Sequence, residues 1–494
     1  MADVDRMDRA ALDRSLVQGL AWTGVAKWGS QILTWGATLI VARLLLPEHY
    51  GLVGMASIYL GLVSLVNEFG FGTAIISLRE LSETEIAQLN TVSVLFGLAS
   101  FALSFAAAAP LARFFRSPEL GPVVVVMSAA FLVTAFRTVP QALLQRDLRF
   151  PRLAVIEGVQ GVLRALVMIA LAAAGLGYWT LVLGNVAGAF IWTGLTLAVK
   201  RHAFAVPRWS EIRSAIRFSW HILAARIGWY IYSHADFAVA GRLLGKGPLG
   251  SYSLAWSTAG MPVEKVTALV GRVTPGVFSA VQADKESLRR YLVTLTEGIA
   301  LLTFPAAVGL ALVADTLVPF VLGEQWVGAI VPLRILALYA TFRSIITLLP
   351  QILNVTGETR FGMWNGFLAA AVLPAGFLVG ARWGTTGIAA SWVVLHPLVT
   401  LPVYWRVFRR IELPTRRYLR ALWPSTSAVL AMAIAVIGAK RIEGDSWHPA
   451  ARLALEVAVG AAVYAGVLAA FHGERVRKLL GALRPARPGA RPSA

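Results

Sequence analysis

Apolar runs long enough to cross a bilayer recur from one end of this 494-residue chain to the other. A helix needs about 20 such residues to span the hydrocarbon core, so each run is read as one crossing. With polar, Pro-rich or Gly-rich breaks as boundaries, the runs predict helices over 17–43, 50–78, 90–111, 121–138, 153–174 and 179–199. Further runs follow over 217–241, 249–281, 290–313, 328–350, 361–380 and 385–405, and two more over 421–439 and 450–471. The expected fold class is an all-α polytopic membrane protein with about 14 transmembrane helices. Composition agrees: only 14% of residues are charged, where soluble domains hold about a quarter. The connections are short, which leaves little chain for a domain outside the membrane.

The formal net charge of +19 would point to nucleic acid in a soluble chain. Here Lys and Arg sort by alternate loops: about two thirds lie in the N-terminus, the loops after even-numbered spans and the tail. The charge is therefore read as topology, with both termini cytoplasmic and no nucleic-acid partner. The first 16 residues mix Asp3, Asp5, Arg6, Asp8, Arg9, Asp13 and Arg14, which does not fit the basic start of a cleavable leader, so the first span is expected to stay as an anchor. The absence of cysteine excludes disulfides, zinc-thiolate sites and cysteine nucleophiles.

The chain also repeats itself. Ala42-Arg-Leu-Leu-Leu-Pro-Glu-His-Tyr-Gly51, between spans 1 and 2, resembles Gly241-Arg-Leu-Leu-Gly-Lys-Gly-Pro-Leu-Gly250, between spans 7 and 8. Ala135-Phe-Arg-Thr138 at the end of span 4 matches Thr341-Phe-Arg-Ser344 at the end of span 10. An even number of spans separates the copies, so they keep one orientation: two parallel, pseudo-symmetric six-helix lobes. The expected organisation is an N-terminal segment 1–16, a first lobe 17–199, a cytoplasmic linker 200–216 and a second lobe 217–405. A second linker 406–420, two appended helices within 421–471 and a basic tail 472–494 complete it, with the chain from Gly473 onward expected to be disordered.

Ionisable groups inside spans are costly and generally face a cavity or a partner. In span 1, Lys27 shares one face with Ser30, Gln31, Thr34 and Thr38, a polar stripe on an apolar helix. The shift between repeats carries Lys27 onto Arg226 and the stripe onto Trp229, Tyr230, Ser233 and Phe237. Both halves thus place a cation at an equivalent site, which suggests a shared central cavity. Span 8 carries Glu264, Lys265 and Arg272 between Pro262 and Pro275, a helix expected to kink twice, and span 5 adds Glu157 and Arg164. Arg137, Glu157, Arg334 and Arg343 near predicted helix ends read as interfacial anchors. Glu68, Asp236, Glu264 and Glu297 are the acids available for coupling to H+ or Na+, with a plain salt bridge as the alternative for each.

No catalytic constellation stands out. Asp3-Val-Asp5 is the only DxD-like pair, the seven His lack metal-ligand spacing, and no GxSxG, HExxH or P-loop occurs. Asn354-Val-Thr356 fits a glycosylation sequon but faces the cytoplasm on this topology. With no ATP-binding motif and no cofactor expected, energy must come from an ion gradient, the membrane potential or the substrate gradient.

The run Ala42 to Met55, Glu68-x-Gly70, the turn Gly175-Leu-Gly-Tyr-Trp-Thr-Leu-Val182 and Gly323-Glu-Gln-Trp326 resemble the bacterial polysaccharide transporter family, the oligosaccharide flippases of O-antigen and exopolysaccharide synthesis. The resemblance implies two lobes around a central cavity that opens alternately to cytoplasm and periplasm of the inner membrane. It implies an undecaprenyl-diphosphate-linked oligosaccharide as substrate, with a polymerase and a chain-length regulator as possible neighbours. A cavity offering Lys27, Gln31, Arg164, Arg226, Lys265 and Arg272 would suit a diphosphate, and Trp229 and Tyr230 would suit sugar faces. An extrusion antiporter of the same superfamily is the rival, though it would want an acidic cavity. A polysaccharide polymerase or ligase is a further alternative, disfavoured by the lack of a long periplasmic loop.

Overall fold

The computed structural model describes residues 33–34, 36–69, 71–78, 80–208, 210, 213, 227–442 and 447–483. Helices dominate and no strand occurs among the described residues. In chain order they are α1 (Gly36–Leu44), α2 (Pro47–Phe69), α3 (Phe71–Ser77), α4 (Glu83–Phe115), α5 (Leu120–Arg146), α6 (Phe150–Ala173) and α7 (Tyr178–Val199). Then come α8 (Ala235–Leu244), α9 (Lys246–Ala280), α10 (Lys285–Leu317), α11 (Ile330–Ile346) and α12 (Leu349–Val355). The last four are α13 (Thr359–Gly380), α14 (Gly384–Arg410), α15 (Thr415–Ile442) and α16 (Pro449–Leu483).

Nine helical stretches among the described residues are long and apolar enough to cross a membrane. One of these, Thr359–Arg410, joins α13 and α14 through the 3-10 turn Ala381–Trp383. Ser391 Oγ donates to the Gly376 carbonyl at 3.1 Å, and a Cβ on Gly387 would overlap the Gly380 carbonyl, so α13 and α14 run back along each other as a hairpin. The pair Gly36–Leu44 and Pro47–Leu65 bends by 114° at its break. Large apolar side chains point outward, such as Phe105 at 67% and Leu98 at 54% exposure on α4, as a lipid-facing surface requires. This is a multi-pass, all-α membrane protein.

Contacts divide the chain into units 1–250 and 251–494. In the first unit, α4 starts with the capping box foreseeable from Ser82-Glu-Thr-Glu85: Ser82 Oγ accepts from the Glu85 amide and Glu85 Oε2 accepts from the Ser82 amide at 2.7 Å. The linker after α7 lies along the first turns of this helix. Asn90 Nδ2 donates to the Ala203 carbonyl, Thr91 Oγ1 to the Ala205 carbonyl, and the Arg208 amide donates to Gln88 Oε1. These bonds account for buried Gln88 and Asn90 on an otherwise apolar helix.

The two copies of the repeated glycine motif meet in the same unit. A Cβ on Gly51 would overlap the Lys246 carbonyl, and one on Gly250 would overlap the Pro47 carbonyl, so the first turns of α2 and α9 touch backbone to backbone. Only glycine permits that approach. Beside the crossing, Lys246 Nζ pairs with Glu119 at 3.1 Å and with Glu48 at 3.5 Å.

In the second unit, α15 and α16 pack on α10. Tyr464 donates to the Leu301 carbonyl at 2.8 Å, Lys440 pairs with Asp315, and Arg475 Nε meets Glu297 at 2.6 Å while its Nη2 donates to the second oxygen at 3.1 Å. The expectation that order ends at Gly473 is corrected: α16 continues to Leu483, since no proline occurs before Arg484-Pro and Glu474 to Leu483 are mostly good helix formers. The helix α9 runs unbroken through Pro262 and Pro275.

Candidate functional site

Among the described residues, each unit holds a polar pocket within its apolar helices. In the first, a cavity of about 300 Å3 is lined by Thr34, Thr38, Tyr50, Arg164, Met168 and Asn185, among others. The stripe Thr34 and Thr38 of the first span therefore shares a wall with Arg164 of α6. Arg164 Nη2 donates to Asn185 Oδ1 at 2.7 Å, and Asn185 is held by its own Nδ2, which donates to the Leu181 carbonyl at 2.8 Å. Room for the guanidinium stem comes from Gly188, where a Cβ would lie 2.8 Å from Arg164 Cδ. Among the described residues no carboxylate lines this cavity, and Arg164 Nε is buried with no acceptor. An arginine inside a membrane helix costs about 2.5–3.5 kcal/mol on insertion scales, so an amide alone offsets little of it. The pocket can receive an anion.

The second unit has a pocket of about 360 Å3, lined by Glu264, Thr267, Gly271, Thr347, Leu348 and Gln351 with two apolar neighbours. Glu264, Thr267 and Gly271 stand on one face of α9 at helical spacing. Thr347 and Leu348 are the break between α11 and α12. Glu264 is not free: Arg343 Nη2 donates to its Oε1 at 2.9 Å, and the Arg343 guanidinium lies 5.4 Å from the Trp256 ring centroid. Around this pair, Trp256, Tyr339, Trp392 and His396 form a continuous aromatic group, with Trp256 and Trp392 centroids 5.2 Å apart.

The reading of Arg137 as an interfacial anchor is corrected, while Arg343 stands in the last turn of α11. Arg137 is 6% exposed, its guanidinium 3.8 Å from the Trp192 ring centroid, because α5 runs on to Arg146 and leaves it inside the helix. Both arginines of the second repeat thus stack on a tryptophan. Arg334, by contrast, pairs with Asp315 at 3.0 Å and is 41% exposed.

Lys27, Gln31 and Arg226 lie outside the described residues, as do the side chains of Glu68 and Arg272. Trp229 is 55% exposed. Tyr230 stacks on His234 with centroids 4.0 Å apart, and its hydroxyl donates to the Ser57 and Ile58 carbonyls of α2. Asp236 is fully buried at the start of α8, and Lys265 is exposed. Glu297 is held by Arg475. Sequence reasoning missed Asn185, Thr347, Gln351 and His396. Polar residues at helical spacing from Arg164 were a visible signal on its own helix, but Asn185 answers it from α7.

Comparison with known proteins follows the same lines. Residues 40–331 match the family described as "Polysaccharide biosynthesis protein". The chain is similar to the lipopolysaccharide biosynthesis protein WzxC of Escherichia coli (strain K12), 24% identical over 84% of this chain and 85% of that protein. It is 25% identical to the succinoglycan biosynthesis transport protein ExoT of Rhizobium meliloti (strain 1021), over 97% of this chain and 98% of that protein. Among solved structures, the lipid II flippase MurJ in an inward closed conformation superposes with a TM-score of 0.71 at 14% identity, covering 92% of this chain and 100% of that one. An outward-facing multidrug resistance transporter of the MATE family gives 0.54 at 16% identity, over 80% and 95% of the two chains. These likenesses establish a shared membrane fold.

Proposed function

Because the chain belongs to the polysaccharide biosynthesis protein family, we propose that it moves an undecaprenyl-diphosphate-linked oligosaccharide across the bacterial inner membrane, from the cytoplasmic to the periplasmic leaflet. The relatives named as transport and flippase proteins support transport rather than catalysis. The observation that carries the reading is Arg164: a guanidinium inside apolar helices, without a carboxylate among the described residues of its cavity's lining, meets the need of a diphosphate leaving water. Its planar fork binds an oxyanion through two parallel bonds, which an ammonium cannot do.

In this reading 14 helices form two lobes that open alternately, both termini are cytoplasmic, and Lys27, Gln31, Arg226, Lys265 and Arg272 are further candidates to meet the substrate's diphosphate. Trp229 and Tyr230 are the candidates for sugar faces. Proton or sodium coupling falls to Glu68 and Asp236, while Glu264 is engaged by Arg343. A polymerase and a chain-length regulator would take the product over.

The test is surface polysaccharide together with lipid-linked oligosaccharide in a strain deleted for this gene. Loss of surface polymer with repeat units accumulating on the cytoplasmic leaflet is expected. Unchanged amounts of both, with new sensitivity to a toxic cation, would replace the reading with drug extrusion.

A further inference from the structure

The pocket between α9 and the α11–α12 break in the second unit offers mainly acceptors. Thr267 Oγ1 donates to the Val263 carbonyl at 2.9 Å and Thr347 Oγ1 to the Ser344 carbonyl at 2.9 Å. A hydroxyl has one hydrogen, so both threonines face a ligand with lone pairs alone. Gln351 Nε2 gives one of its two hydrogens to the Thr347 carbonyl at 3.4 Å, and its Oε1 is buried without a donor among the described residues. Glu264 receives one bond, from Arg343, leaving its other oxygen open among the described residues. A ligand that fits must bring hydrogen-bond donors.

Two chemistries bring what such oxygens need: a metal cation, or a set of hydroxyls. Charge decides between them. Glu264 is the one acid among the described lining residues and Arg343 neutralises it at 2.9 Å, so a cation would enter a site with no net negative charge. Among the described residues no cluster of three metal-ligating side chains exists. A neutral polyol supplies several O–H donors without adding charge, and a pocket of about 360 Å3 falls within the range of small-ligand sites, about 300–1,000 Å3. The pocket also lies where a helix is interrupted, a place at which membrane proteins assemble substrate sites.

We infer that this pocket is a sugar-binding site, in which Glu264, Thr267, Thr347 and Gln351 accept hydroxyls from a neutral hexose unit of the transported glycan. The inference rests on the transport reading for its ligand but not for its chemistry. A free sugar should occupy the site weakly, in the regime where saturation-transfer NMR reports binding. The experiment uses the full chain in detergent with glucose, galactose, mannose and N-acetylglucosamine, each alone, and a separate calorimetric titration with sodium chloride.

At least one sugar is expected to show transfer in the parent protein, reduced threefold or more in Thr347→Val/Gln351→Leu and retained in Thr347→Ser. Thermal melting of each variant checks that it is folded, and Thr267→Val serves as a second variant should the double one fail to fold. Absence of transfer from every sugar, or equal transfer in the valine variants, overturns the inference. So does a sodium heat that disappears in the double variant while sugar transfer stays. Sugar transfer in a protein that moves no lipid-linked glycan would sink the transport reading and leave this site standing.

Discussion

Arg164 in the first unit and Glu264 in the second both place a charge within apolar helices, and their surroundings take opposite hydrogen-bond polarity. Around Arg164 the charge has an amide for a partner, and among the described residues no acid lines the cavity and one buried donor is unanswered. Around Glu264 the charge is matched by Arg343, and the hydroxyls nearby have committed their hydrogens to carbonyls. One pocket asks for an anion and the other for neutral donors. A diphosphate bonded to a glycan presents these two chemistries in one molecule. The difference teaches that charge count alone describes such sites poorly, because which hydrogens are already committed decides what can bind.

Reversing the polarity of the first pocket should have the largest effect. Arg164→Glu is expected to lower polysaccharide export at least tenfold at an unchanged membrane level, with Arg164→Lys retaining part of it, as measured by surface polymer in a complemented deletion strain. Export equal to the parent would remove this pocket from the path. Crowding it should do less: Gly188→Ala pushes the Arg164 stem, and a drop of about threefold in the same assay is expected.

In the second pocket the sharpening change is Arg343→Met, which keeps a stem over Trp256 but strands the Glu264 carboxylate. Glu264 is 64% exposed, so the loss should be about 1 kcal/mol at most, about one degree in melting temperature, recovered when Glu264→Gln is added. No recovery would mean the pair does not set the charge balance of the pocket.

The smallest effect belongs to the clasp at the glycine crossing, away from both pockets. Its own backbone amide and then the Lys246 ammonium hold Glu119 below the usual carboxylate range, while Glu119 raises Lys246 above the usual range for an amine. A lowered acid stabilises above its unfolded pKa and loses that contribution as pH falls through the folded one. A raised amine stabilises below its unfolded pKa and loses that contribution as pH rises through the folded one. The melting difference between the parent and Lys246→Met should be flat between about pH 6 and pH 9 and shrink below about pH 4.5. A difference that peaks near neutral pH and falls by pH 6 would point to a histidine instead.

Much of the fold was legible because bilayer thickness sets a length scale that hydropathy reports directly: α6 at Phe150–Ala173 and α7 at Tyr178–Val199 lie within a few residues of the predicted spans. Helix ends were less legible, since helices run past the hydrocarbon into polar sequence. That extension hid Arg475 as the partner of Glu297, and it made Arg137 look terminal when α5 continues to Arg146. Of the site, Arg164 was readable as a charge in an apolar run. Its partner Asn185 was not, because contacts between helices leave no periodic trace in either one. Thr347 and Gln351 matter through a helix break, and Thr347 also through a hydroxyl hydrogen already committed, neither of which composition encodes.

The most direct measurement reconstitutes the purified chain in proteoliposomes loaded with its lipid-linked oligosaccharide and follows the rate at which the glycan reaches the outer leaflet, for the parent and for Arg164→Gln. Flipping by the parent with at least a tenfold slower rate in the variant is the predicted result. Equal rates in the two proteins, or no flipping by the parent, would contradict the account.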